Sequence, residues 1–152
     1  MNDIISKDLK KRTCADTFIS CVLCFGKLAF SVYHIIEYFR GGSPECISNA
    51  VYCFIIFAEL GLLSLILLEI KKTGKPFSKK IITKLRAMSL ILIVGGIMPR
   101  ITEMTSKNGN EAISFTFSSM NMLVIFLGII IGILSELFVY GMSLQKDNDL
   151  IA

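Results

Sequence analysis

Two charged side chains, Lys27 and Glu59, stand within long apolar runs of this 152-residue chain. Charge is expensive in hydrocarbon, about 2.5–3.5 kcal/mol for a central Lys or Asp even on the insertion scale, so such groups mark either a structural pair or a path for protons, ions or substrates. In the first run Ser20, Cys24, Lys27, Ser31, His34 and Tyr38 recur at steps of four and three. That spacing puts them on one face of a helix, a polar stripe that should meet other helices or water and not lipid.

Depth suggests a partner for Lys27. If the first helix enters near Thr17, Lys27 lies about 15 Å from that boundary, and Glu59 lies about 16 Å from the same boundary if the second helix ends near Ile70. Adjacent antiparallel helices would then bring the two charges to one level. The plain reading is a structural ion pair, or a Glu59 that stays protonated; the functional reading is a transport site.

Further groups gather where the apolar runs end. His34, Glu37 and Arg40 close the first run, and Arg100 and Glu103 lie just past the third, so an outer hydrogen-bond and ion-pair cluster is expected. His34 and Glu37, three residues apart, can reach one metal ion, but a site needs three or four ligands, and no metal is expected from two. Glu136 falls about 9 Å inside the end of the last run, where Lys84 or Arg86 can meet it. Gly128 and Gly132 make a small-xxx-small step that permits close helix packing, within the chain more readily than between chains.

Other chemistry is poorly supplied. Five cysteines stand at 14, 21, 24, 46 and 53. Cys21 and Cys24 form C-x-x-C inside an apolar helix without the second ligand pair of a zinc site, and free thiols are expected. Cys14, beside the membrane surface, is a candidate for acylation. A single histidine, no G-x-S-x-G and no phosphate-binding loop at Gly74-Lys75-Pro76-Phe77-Ser78 argue against an enzyme.

The elements that hold these residues are set by composition. Of the chain 53% is hydrophobic and 18% charged, with a mean hydropathy of +0.67. A soluble domain carries about 25% charged residues. With about 20 apolar residues per span, the chain has room for about four helices and no separate catalytic domain. The expected fold is therefore all-α, a single membrane domain over residues 1–152, an integral membrane four-helix bundle. Its helices are expected at about 17–39, 47–70, 84–104 and 117–142, with a basic loop at 71–86. The third run has only 13 uncharged residues, Ala87 to Pro99, and spans only if Lys84, Arg86 and Arg100 snorkel to the interfaces.

Charge placement orients the bundle. The N-terminal segment holds four Lys and Arg, the 71–86 loop seven and the C-terminal tail one, against Arg40, Arg100 and Lys107 in the other connections. Cytoplasmic loops are enriched in Lys and Arg, so both termini are expected in the cytoplasm. The net charge of +4 is explained by orientation and anionic lipid headgroups, with no need of nucleic acid.

Two places resemble a known family. Gly74-Lys75-Pro76-Phe77 and, further on, Lys84-Leu85-Arg86 are similar to the G-x-P-F and basic K-x-L-R pattern of the bacterial domain-of-unknown-function family 2975, the YoaS-like membrane proteins. Glu136-Leu137-Phe138, Gly141, Leu144-Gln145 and Asp147-Asn148-Asp149-Leu150 resemble that family's closing segment, although Ile151 stands where its threonine is usual. The resemblance implies a small four-helix, multi-pass protein of the bacterial inner membrane, often encoded beside a helix-turn-helix regulator, with no known reaction. No cofactor is expected. The expected function is non-catalytic and partner-dependent, in a regulatory pair with such a protein or as immunity to a membrane-active peptide. The alternative is a small transporter or ion-conducting protein using Lys27, Glu59 and His34 as its polar path.

Overall fold

The computed structural model describes the backbone of residues 2–73, 77–105 and 111–151 and the side chains of residues 11–73, 77–102 and 113–147. In chain order it contains α1 (Asn2–Phe39), α2 (Glu45–Thr73), α3 (Lys79–Ile97), β1 (Arg100–Thr105), β2 (Glu111–Thr116) and α4 (Ser119–Ile151). Three stretches of 29 residues, Lys11–Phe39, Glu45–Thr73 and Ser119–Asp147, are long and apolar enough to cross a membrane. Each is about 43 Å long at 1.5 Å per residue, more than the hydrocarbon thickness of about 30 Å. Their large apolar side chains face outward over most of their length, Phe18, Phe25, Phe30, Phe126 and Leu137 among them. Water would not tolerate such continuous apolar surface on a monomer.

α1 begins well before Thr17, the expected start. No glycine or proline stands between Asn2 and Phe25, so nothing interrupts the helix as it passes through the basic segment. It ends at a tight turn. Gly41 takes φ +90, and a Cβ on Gly42 would sit 2.7 Å from the backbone oxygen of Glu37, which accepts from the Gly42 amide. Both positions therefore demand glycine.

α3 also departs from expectation, ending at Ile97 where a helix through residue 104 was expected. Pro99 disfavours helical backbone at Met98, which is extended (φ −65, ψ 122). Past Pro99 the chain forms an antiparallel hairpin with Arg100 opposite Thr116 and Thr102 opposite Ser114. Ile101, Thr102, Ile113 and Phe115 suit strands by their branched or aromatic side chains. The hydroxyls of Thr102 and Ser114 bond across the hairpin at 2.8 Å. The hydroxyl-rich stretch from Ser114 thus belongs partly to β2, and α4 starts only at Ser119. At its own start α3 is capped by Ser78, whose hydroxyl accepts from the Ile81 amide.

Neighbour relations among the described residues run α1 to α2, α2 to α3 and α3 to α4; α1 packs on α2 alone. Ile81, fully buried, centres the core with Ile66 of α2 and Met88, and Ile131 and Phe138 of α4 close over it. At α3 and α4 the close approach depends on glycine. A Cβ on Gly128 would meet Ser89 O at 3.0 Å and Ile93 N at 3.1 Å, and one on Gly132 would meet Ser89 Oγ at 2.9 Å. The small-xxx-small step is therefore used within the chain.

Candidate functional site

The polar stripe of α1 is the seam of the α1–α2 pair. Ser20 Oγ donates to Leu60 O at 3.1 Å and accepts from Ser64 Oγ at 2.9 Å. Cys24 Sγ donates to Phe57 O at 3.5 Å, and Ser31 Oγ donates to Ala50 O at 2.9 Å. Ser20, Cys24 and Ser31 each find a carbonyl across the interface and are covered by protein, as their spacing requires, whereas Tyr38 at the end of the stripe is exposed.

These contacts set a register that separates Lys27 from Glu59. With Cys24 opposite Phe57 and Ser31 opposite Ala50, Lys27 comes level with about Phe54, about 7.5 Å along the axis from Glu59. The faces differ as well. Glu59 falls four residues after Ile55 and three before Leu62, the residues through which α2 meets α3, and so lies on the α3-facing stripe. Glu59 Oε1 is buried with no hydrogen-bond partner, and the two side chains form no ion pair. Depth along the chain points to the right pair of helices and the wrong helix face.

At the opposite end from the basic loop, the Gly41-Gly42-Ser43-Pro44 turn folds the start of α2 back beside the end of α1. His34 Nδ1 lies 3.4 Å from Glu37 Oε2. Cys46, buried in the first turn of α2, joins them: one ligand atom from each of His34, Glu37 and Cys46 lies within 4.8 Å of the other two. His34 Nδ1 is buried and makes no hydrogen bond. The Tyr33 ring lies steeply inclined to the imidazole, with 5.5 Å between centroids. Helical spacing pairs His34 with Glu37 and leaves Cys46 out. The Gly-Gly-Ser-Pro turn is the signal for the third member, because so short a connection must bring both helix ends to one level.

The expected outer cluster otherwise divides. Arg100 stacks its guanidinium 4.8 Å from the centre of the Tyr52 ring, a cation–π contact, while its Nε is buried without a hydrogen-bond partner. Arg40 is exposed at the turn. Glu103 is on β1, and its side chain lies outside the described residues.

Beside Tyr52 is a buried polar node that spacing and composition did not signal. Asn121, 1% exposed, donates through Nδ2 to Met98 O at 2.7 Å, Tyr52 Oη at 2.9 Å and Gly96 O at 3.0 Å. Its Oδ1 accepts from the amide and hydroxyl of Ser118. Tyr52 Oη in turn donates to Met98 O. The last carbonyls of α3, which lack helical partners, are thus satisfied by α2 and α4 together. The hairpin is tied to the same place by the Ile101 amide, which donates to Ser48 Oγ.

At the basic-loop end, Arg86 Nη2 donates to Glu136 Oε1 at 2.8 Å, one of the two pairings expected for that acid. Lys84 instead donates to Leu65 O at 3.0 Å, and Lys80 lies 3.9 Å from Glu69. The two motif regions also meet. Phe77 packs edge to face on Phe138 with centroids 5.1 Å apart, and its ring fills the space a Cβ on Gly141 would need, at 2.9 Å.

Among the described residues, a larger and a smaller cleft border α2 and α3. The larger, about 340 Å³, is lined by Val51, Phe54, Ile55, Leu90, Val94 and Met98 among others, all apolar. The smaller, about 180 Å³, lies under the hairpin between Ser48, Tyr52, Ile101 and Phe115. Lys27 and Glu59 line neither. Comparison of the chain with family models, with curated proteins and with solved structures gave no match.

Proposed function

We propose that this chain is a non-catalytic, multi-pass membrane protein that acts through a protein partner. The observation that carries the reading is the order of packing: α1 rests on α2 alone, with α3 between α2 and α4. Among the described residues α1 and α4, the two outer helices, do not pack on each other, so the row stays open. It offers α1 as an edge helix, whose Phe18, Phe25, Phe30 and Phe39 are exposed.

The finer reading is four membrane crossings with both termini in the cytoplasm of a bacterial cell, supported by the cation count in the connections. The basic loop and the acidic tail then form the cytoplasmic contact surfaces. The partner is a helix-turn-helix regulator in one form of this reading and a membrane-active peptide in the other. Kinship to the YoaS-like family rests on the motif residues that Phe77, Phe138 and Gly141 bring together.

Photo-crosslinking side chains placed at Phe25 and Phe30 in native membranes test the reading. A discrete protein adduct at either position is expected, and lipid adducts alone at every exposed α1 position would reject it. Labelling of cysteines introduced near Lys146 should place the tail on the same side as the basic loop.

A second reading, a small transporter or ion-conducting protein, is favoured by the unpartnered Oε1 of Glu59 inside α2. It requires several copies to enclose a path. Flux into proteoliposomes that disappears in Glu59→Gln would favour it.

A further inference from the structure

We infer that His34, Glu37 and Cys46 bind a transition-metal ion of the Zn²⁺ type, pinning the end of α1 to the start of α2. The three offer a nitrogen, an oxygen and a sulfur ligand, all within 4.8 Å of one another. That mixture of donors suits zinc and its neighbours, and not Mg²⁺ or Ca²⁺, which prefer oxygen alone. Zinc bonds of about 2.0–2.3 Å in tetrahedral geometry set ligand atoms about 3.3–3.8 Å apart. His34 Nδ1 and Glu37 Oε2 are already at 3.4 Å. The contact is an ion pair only when the imidazole is protonated; as neutral imidazole its Nδ1 is buried without a hydrogen bond, a costly state that a metal ion would relieve.

Backbone structure holds the donors in place independently of the metal. His34 and Glu37 are one turn apart on α1. Cys46 is fixed by the turn, its amide donating to Ser43 O at 3.0 Å, while Gly42 is pressed against Glu37 O. Cys46 is 8% exposed. On binding, the Cys46 thiol gives its proton to solvent, His34 coordinates as neutral imidazole and Glu37 as carboxylate. The thiolate and carboxylate together cancel the two charges of the ion, so the filled site is neutral at the edge of an apolar helix pair. Three protein ligands leave one coordination position for water or for a donor from outside the chain.

The full chain in detergent micelles, titrated with Co²⁺ as a spectroscopic substitute and then with Zn²⁺, tests this. One equivalent should bind and give the charge-transfer absorption of a cobalt thiolate, which Zn²⁺ displaces. Cys46→Ser should abolish that absorption with the helical circular dichroism unchanged. Glu37→Gln should weaken Zn²⁺ binding by at least about 100-fold, since losing an inner ligand exceeds the 10–100-fold cost of losing an outer partner. A wild-type spectrum without the thiolate band, or a band that survives Cys46→Ser, overturns the site. A second measurement needs no variant: one equivalent of Zn²⁺ should protect Cys46 from maleimide, read by mass spectrometry of its peptide. Alkylation of Cys46 at an unchanged rate also overturns it. None of these readouts depends on a protein partner, so their failure would leave the crosslinking result untouched.

Discussion

Arg86 of α3 and Glu136 of α4 meet through a 2.8 Å hydrogen bond between Nη2 and Oε1, yet both side chains are more than half exposed, at 54% and 64%. Exposure keeps the pair weak, because solvent and headgroups compete for each partner. A double-mutant cycle with Arg86→Ala and Glu136→Gln, read by thermal unfolding in detergent, should give a coupling of about 0.2–1 kcal/mol that shrinks as salt is raised.

Asn121 carries far more. Replacing it with Leu removes donors from Met98 O, Gly96 O and Tyr52 Oη; Met98 O keeps the Tyr52 hydroxyl, while Gly96 O loses its side-chain donor in a buried setting. The expected loss of stability is about 1–3 kcal/mol for an unsatisfied buried group. Asn121→Leu should unfold at clearly lower temperature than Asn49→Leu, a change at an exposed asparagine, and an equal midpoint for the two would refute the node.

Gly128 tests the α3–α4 contact. A methyl there meets the backbone of Ser89 and Ile93 at 3.0–3.1 Å, and backbone cannot step aside as a flexible side chain can. Gly128→Ala should cost about 1–3 kcal/mol, as overpacking usually does. Gly26, with nothing within 4 Å, is the control, and Gly26→Ala should be neutral or mildly stabilising in the same helix-rich setting.

The separation of Lys27 from Glu59 makes a prediction opposite to the one that depth alone would make. If the two paired, exchanging their charges would restore folded protein lost in the single variants. Because they lie on different faces of the α1–α2 pair, Lys27→Glu combined with Glu59→Lys should show the summed loss of the two singles. Yield of folded protein after detergent extraction measures this, and recovery in the double variant would restore the ion pair.

Much of the molecule is legible in its sequence. Apolar runs of more than 20 residues announce three helices long enough to cross a membrane, because hydrocarbon demands that every backbone group bond within its own segment. The stripe from Ser20 to Ser31 announces the seam with α2, since hydroxyls seldom face lipid. Arg86 with Glu136, and Gly128 with Gly132, are readable from depth and spacing. The hairpin is not. Thr102 and Ser114 can serve either a helix end or a strand, and only their pairing across the hairpin decides between these.

Sequence by itself determined that this is a chain of long apolar helices with its cations gathered at their ends, and that Lys27 and Glu59 lie deep within those helices. Only the tertiary structure decided which groups meet. Helical periodicity places a residue on a face of its own helix, but the rotation of one helix against another comes from packing. That rotation turned Glu59 toward α3 and away from Lys27. The tight turn after α1 brought Cys46, nine residues beyond Glu37, to the side of His34.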